Sequence, residues 1–492
     1  MLWWLAAAFV LVHIFIYCLG VRFDDQLLYK GWQHLDVELL RHNLLESLFY
    51  LHSQPPLFNL FLGIVLKLFY PHPALVFQAS YLICGLIIYL SLFWVQVRLG
   101  VGKWLAFSLS TLFILSPSSI TYGYHLYYTF PVAAILMASA LLLHEFVVKQ
   151  KSWQALCLFS LLFLLSGIRA LFHLVYFVTI AATLIVLLRP IRRKIVLAAV
   201  LPFVLILSLY CMNLMVFGDF STSSWLGMNV LNVVTTNVSM EDRRLMVADG
   251  KLSELALIER FLPLAEYPSR YQDVKRYRDI PALTVATKST GAPNYNHLAY
   301  LTLSEQYLED FLQLLKERPL AYLKGVQQAC LIYLVPNVMF VPFNEDRDKT
   351  AFLESFYDTY FYGKFDRLSA ILAGLWPFSL IPGYPLHLFL FIGLPLLLVH
   401  GLVLSLRNRG HSIRLDRDRR IVVLYMCLSI IYVAVVGNML ELGENSRFRF
   451  TTDPFYVVLL GLFIQFSVKG RLLRFLHRLR SSSASHFERA KQ

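Results

Sequence analysis

The sequence predicts an all-α polytopic membrane protein: a bundle of about ten to twelve transmembrane helices with interfacial helices and an outward-facing loop domain. Three observations predict it. Of 492 residues, 58% are hydrophobic and only 15% charged, and the mean hydropathy is +0.59, so the bilayer must be the main solvent. Several runs reach the roughly 20 apolar residues needed to cross the hydrocarbon core, where backbone polar groups must bond within their own segment. The formal charge of +13 is concentrated in short gaps between those runs, at Arg98/Lys103, Lys149/Lys151, Arg189/Arg192/Arg193/Lys194, residues 407–420 and the tail from Lys469. That is the Lys/Arg bias of cytoplasmic loops. No basic face of a folded domain is visible, which argues against a nucleic-acid partner.

Taken in order, the first run, residues 2–20, has no charged leader and no small-residue cleavage site, so it reads as a retained signal anchor. Further runs cover 74–97, 104–120, 130–148, 153–168, 171–188 and 195–217. If the shorter run 56–69 lies at the interface, every basic gap falls on one side, and 21–73, 121–129 and the segment from Gly218 fall on the other. Residues 218–318 mix both charges with Pro, Asn and Tyr and read as a small extramembrane cap. Beyond it, 319–341 is apolar but interrupted by Pro336, and 368–406 suits one tilted span or a hairpin. Spans at 421–440 and 454–468 enclose an outward loop, 441–453. The expected organisation is a membrane module over 1–217 with its first outward loop at 21–73, a cap over 218–342, a second membrane region over 343–470 and a basic cytoplasmic tail over 471–492. The six cysteines lie in or beside apolar runs without metal or disulfide spacing and read as small packers.

Chemistry-bearing residues gather on the outward side. Asp24 and Asp25 follow the first run directly, where a carboxylate is partly desolvated without entering lipid, which suits a general base. An acidic pair marking a helix end is the bland alternative. His52-Ser53-Gln54-Pro55-Pro56 opens a helix whose free N–H groups favour anions. Arg169 and Arg447 fall at the outer ends of span pairs, where the guanidinium fork matches phosphate oxygens. A lone arginine there reads better as a snorkelling residue; several donors and an acidic pair on one face do not. There is no Walker loop, dinucleotide glycine motif, zinc-type His/Glu cluster or nucleophile elbow, and Asp416-Arg417-Asp418 sits among cytoplasmic arginines and is given no catalytic role.

The acidic pair Asp24-Asp25 after the first span and the HSQPPL motif from His52 resemble the multispanning C-type glycosyltransferases (GT-C), in particular the branch of protein O-mannosyltransferases and lipid A aminoarabinose transferases. Arg169 and the ExxR-type run Glu444-Asn445-Ser446-Arg447 are weaker matches, and the resemblance covers the first seven spans best. It implies transfer of a sugar from a polyprenyl-phosphate carrier to a glycan, lipid or protein acceptor on the extracytoplasmic side. By this mapping Asp24 is the base with Asp25 beside it, and His52, Arg169 and Arg447 hold the phosphate. Gln54, Tyr124, His125 and Glu444 are further substrate contacts. Relatives often carry an acid or amide in the loop before the fourth span, where this chain has Tyr122, Tyr124 and His125. One base plus several cations fits a phosphate leaving group that needs no general acid, and a single displacement would invert the anomeric carbon. No cofactor is firmly implied, and a divalent metal is left open though not indicated. The localisation implied is a plasma or inner membrane with both termini cytoplasmic. A transporter or flippase of a lipid-linked or anionic substrate is the competing class, although the sequence shows neither repeated halves nor broken helices and the span middles are nearly free of charge.

Overall fold

The computed structural model describes residues 1–272, 277–337, 347–365, 387–406 and 415–468. The chain is an all-helical polytopic membrane protein; among the described residues extended pairing is limited to isolated bridges, one of them between Asp24 and His125. Among the described residues five helices are long and apolar enough to cross a bilayer: Pro73–Leu99, Thr129–Lys149, Arg189–Phe217, Phe389–Leu406 and Arg417–Leu440. A sixth crossing arises if Lys103–Leu115 and Pro117–Tyr124, bent by 56° at their junction, count as one.

This is fewer than the ten to twelve full spans expected from the apolar runs. The reason is that several apolar runs form helices shorter than a full crossing or break partway along. Ser152–Ile168 has 17 residues and Leu174–Leu187 has 14, which at 1.5 Å per residue gives about 25 and 21 Å against a hydrocarbon core of about 30 Å. The run at 104–120 breaks at Pro117, which has no N–H to donate and pushes Ser116 to an extended ψ of 144°. Ser116 then caps the new helix, accepting from the Ser119 N–H at 3.2 Å. Leu2–Cys18, Ser152–Ile168, Leu174–Leu187 and Asp453–Phe466 are the shorter apolar helices of the same bundle. Within the run at 319–341 the α-helix Pro319–Tyr333 ends ahead of Pro336, and 338–341 lie outside the described residues. Part of the 368–406 run, the tail over 471–492 and the basic residues from Arg407 to Arg414 lie outside the described residues.

A second hydrophobic cluster is separate from the bundle core. It packs Trp225, Met228, Leu231, Tyr295, Tyr300 and Leu314 around the helices Leu226–Thr235 and Ala299–Glu317. This part of the chain is stitched to the loop after the first helix. Asn296 accepts from the backbone N–H groups of His52 and Ser53 at 3.0 and 3.1 Å and donates to Tyr50 O at 3.0 Å. Asp36 accepts from the Ser289 N–H and hydroxyl at 2.6 and 2.5 Å, and the buried Lys288 Nζ donates to Gly31 O at 2.8 Å. Burial pushes Lys288 down to about 8. Asn232 ties the same unit to the turn before the last helices by donating to Leu442 O at 2.7 Å. Of the segments that parity assigns to one side, 21–73 thus packs on the one from Gly218, which in turn reaches the loop 441–453. The basic gaps gather elsewhere: Arg98 pairs with Glu145 at 3.2 Å, Lys194 caps Gln150 O at 2.8 Å, and Arg98, His144, Asp416, Asp418 and Arg419 line one shared depression. Asp416 and Asp418 sit at the N-terminus of Arg417–Leu440, where negative charge complements the helix dipole.

Candidate functional site

A cavity of about 400 Å³ lies where these three segments meet. The first loop contributes Trp32, Gln33 and Gln54; the second cluster contributes Asn229, Asn232, Arg260 and Phe261; the helix ends contribute Tyr128, Arg169, His173, Glu441, Glu444 and Arg447. Its aromatic wall is built across chain segments, Trp32 stacking on Phe261 at 5.3 Å and Trp225 meeting Phe261 edge-on at 5.0 Å.

Arg169 ends the Ser152–Ile168 helix in an extended conformation and is 4% exposed. Its guanidinium lies over the rings of Phe448 and Tyr128, 4.5 and 5.2 Å from their centroids, and its Nη1 has no hydrogen-bond partner among the described residues. Cation–π contact in a dry site offsets about 2 kcal/mol, less than the several kcal/mol that burying an unpaired charge costs. The side chain therefore has a donor free to meet an anion, with none hydrogen-bonded to that nitrogen among the described residues. Arg447, 2% exposed, donates through Nη1 to the Tyr128 hydroxyl at 3.0 Å, forms an ion pair with Glu444 and lies 4.7 Å from the Tyr127 centroid. Tyr128 thus stands between the two guanidinium groups.

The turn carrying Glu441, Glu444 and Arg447 is held by one fully buried side chain. Asn445 Nδ2 donates to Asn438 Oδ1 at 3.0 Å and to Glu441 O at 2.9 Å, while its Oδ1 accepts from the Gly443 N–H at 3.0 Å. Gly443 has a φ of +136°, a backbone conformation that favours glycine. Burial pushes the Glu441 carboxyl up to about 7, against the pull of Arg260, Arg447 and Arg169. Burial likewise lowers Arg260, with Glu441 the foremost group opposing it. Three arginines against two glutamates leave the cavity with an excess of one positive charge when both acids are ionised.

Of the residues singled out from the sequence, Arg169, Arg447, Gln54 and Glu444 line this cavity. Asp24, Asp25, His52, Tyr124 and His125 do not line it. Asp24 joins the first loop to the turn before Thr129–Lys149: its N–H donates to Tyr124 O at 2.8 Å, its carbonyl accepts from the Leu126 N–H at 2.9 Å, and its carboxylate lies 3.9 Å from His125 Nε2. Asp25 is raised from the usual carboxylate range, first by burial and then by Asp24 beside it. His52 is 2% exposed and engaged at both nitrogens, Nδ1 with the Ser224 hydroxyl at 2.7 Å and Nε2 with Asn296 O at 3.0 Å, and burial pushes it down to about 4. Its ring joins two segments and offers no free nitrogen to a phosphate in this arrangement. Tyr124 meets His13 at 2.8 Å, and His125 Nδ1 meets Thr121 O at 2.8 Å.

Sequence reasoning missed Glu441, Arg260, Tyr128, Asn229 and Asn232. For Glu441 a signal was present: Glu441, Glu444 and Arg447 recur at a spacing of three in one loop. Arg260 carried none, because its position depends on how the second cluster folds. Among the described residues no group of three or more His, Cys, Asp or Glu could hold a metal. Chemically, the site can bind an anionic group on its arginines and offers an acid of raised pKa facing the same space. No protein-family model, curated protein or solved structure matches the chain.

Proposed function

We propose that the cavity binds the phosphate of a lipid-linked sugar and that the protein is a membrane glycosyltransferase, moving the sugar from a polyprenyl-phosphate carrier to an acceptor hydroxyl. The observation that carries the reading is Arg169: a buried guanidinium with an unpartnered nitrogen, beside Arg447, in a cavity of about 400 Å³. A phosphodiester supplies the missing anion, and two guanidinium groups stabilise the charge that grows on the leaving oxygen as the glycosidic C–O bond breaks. The aromatic face of Trp32 and Phe261 suits a sugar ring, and Gln54, Asn229 and Asn232 offer hydroxyl contacts. The resemblance of Asp24-Asp25 and HSQPPL to GT-C enzymes agrees with this class. The Lys/Arg bias supports a cavity on the extracytoplasmic face of a plasma or inner membrane, with both termini cytoplasmic.

A transporter of the same ligand is disfavoured by where the charge lies. Polar contacts between the helices Thr129–Lys149, Leu174–Leu187 and Arg417–Leu440 are hydroxyl pairs, Ser139–Tyr425 at 2.6 Å and Tyr176–Ser429 at 2.9 Å, whereas Arg169, Arg260 and Arg447 collect around the one cavity beyond the helix ends. Purified protein in nanodiscs, given polyprenyl-phosphate sugars and mixed acceptors, should release polyprenyl phosphate. Arg169→Ala and Arg447→Ala should each weaken donor binding about 10- to 100-fold, the worth of a charge-assisted hydrogen bond of roughly 1.5–3 kcal/mol. Movement of intact donor across sealed vesicles without cleavage would replace this reading with transport.

A further inference from the structure

We infer that Glu441 is the general base of the transfer, the group that takes the acceptor's proton, rather than either member of the aspartate pair after the first helix. The inference rests on the glycosyltransferase reading above. A base must reach the hydroxyl whose proton it removes, and geometry ranks ahead of acidity in choosing it. Glu441 and Glu444 are the two carboxylates among the described residues that line the cavity. Glu444 is occupied by its ion pair with Arg447. Glu441 forms no ion pair within 4.0 Å among the described residues, yet it faces the cavity that holds Arg169 and Arg447. Its backbone is locked at both ends, the N–H donating to Gly437 O at 3.1 Å and the carbonyl accepting from Asn445, so the side chain is aimed from a fixed support.

The charged and titratable groups around it come from every wall: Arg260 from the second cluster, Arg169, Tyr128 and His173 from the helix ends, and Arg447 and Glu444 from its own turn. Burial brings Glu441 to about 7, near the working pH at which a base combines availability with proton affinity. When a phosphodiester anion occupies the arginines, their pull on Glu441 weakens and its proton affinity rises further. In the step itself the acceptor oxygen bonds to the anomeric carbon and the carbon–oxygen bond to phosphate breaks. The bonding pair leaves on the phosphate oxygen, the acceptor proton moves to the Glu441 carboxylate, and it then passes to water.

The test is a pH–rate profile of polyprenyl phosphate release, with polyprenyl phosphate binding as a readout independent of turnover. The wild type should lose kcat/KM as pH falls through about 7, and kcat at a higher pH because bound phosphate raises the carboxyl further. Glu441→Gln should lower kcat by about 10²- to 10⁴-fold, the usual share of a general base, and abolish that acidic limb while binding polyprenyl phosphate at least as tightly. Glu441→Asp should recover part of the rate. Infrared titration of the wild type should show a carboxyl band disappearing near pH 7 and moving to higher pH with polyprenyl phosphate bound. An active Glu441→Gln with its acidic limb intact, loss of that limb in Asp25→Asn or Asp24→Asn instead, or no such carboxyl band in the wild type would each overturn the assignment. A wild type that binds polyprenyl phosphate but never cleaves a donor removes the glycosyltransferase reading itself, a different result from an active enzyme indifferent to Glu441.

Discussion

Arg169 and His52 show opposite uses of a buried polar side chain. Arg169 is buried with an Nη1 that has no hydrogen-bond partner among the described residues, so its burial works against the stability of the ligand-free protein; breaking even is the usual fate of buried charge replaced by a well-packed apolar residue. Arg169→Met should leave the thermal midpoint of ligand-free protein equal or higher while polyprenyl phosphate no longer raises it, whereas in the wild type the ligand should raise it by mass action. A fall in midpoint with ligand stabilisation intact would show that the guanidinium supports the fold instead. His52 is the reverse case, neutral and satisfied at both nitrogens. Burial depresses its pKa from 6.5 to about 4, so the unfolded chain takes up a proton that the folded chain refuses. The contribution is full above about 6.5 and is lost as pH falls towards 4, roughly 3 kcal/mol at 1.36 kcal/mol per pH unit. The thermal midpoint should drop between pH 7 and pH 5, and His52→Gln should flatten that drop.

Among the elements, the helix Leu226–Thr235 is clamped between two neighbours at glycine notches. A Cβ on Gly227 would sit 1.8 Å from Ser304 O, and one on Gly325 would sit 1.7 Å from Val233 O. Those contacts are with backbone, which cannot rotate aside, so the helices must part. Gly325→Ala should destabilise the second cluster by about 1–3 kcal/mol or more, seen as faster proteolysis of residues 218–318 with the membrane helices intact. Because Asn229 and Asn232 line the cavity from the clamped helix, donor binding should weaken in the same variant. Elements were legible in the sequence where local chemistry decides them: Pro56 starts a helix, and the run ending at Phe217 stops before Gly218, whose φ is +80°. The break at Pro117 was not, since the residues on both sides of it are apolar and read as one run.

At the scale of the whole molecule, the parity argument anticipated that the loops at 21–73, 218–318 and 441–453 share one face, and their mutual packing agrees with it. A cysteine at Asp249 should react with a membrane-impermeant maleimide added outside intact cells, and one at Lys151 should react only after permeabilisation. The reverse pattern would invert the orientation and place the cavity in the cytosol. The site was half legible for a related reason. Arg169, Arg447, Gln54 and Glu444 are on it because charge or motif position marks them beside predicted spans. Glu441 and Arg260 gain their meaning from contacts made across the fold, which no local pattern records.

Since Trp32, Tyr128, Arg169, Arg260 and Arg447 are spread over most of the chain, the chamber cannot exist until translation is nearly finished. A ribosome delivers Arg169 well before the segment that brings Glu441 and Arg447 against it. Any product truncated ahead of the closing pair of helices therefore lacks Glu441, Glu444 and Arg447 and has a half-built vestibule with no paired guanidinium clamp.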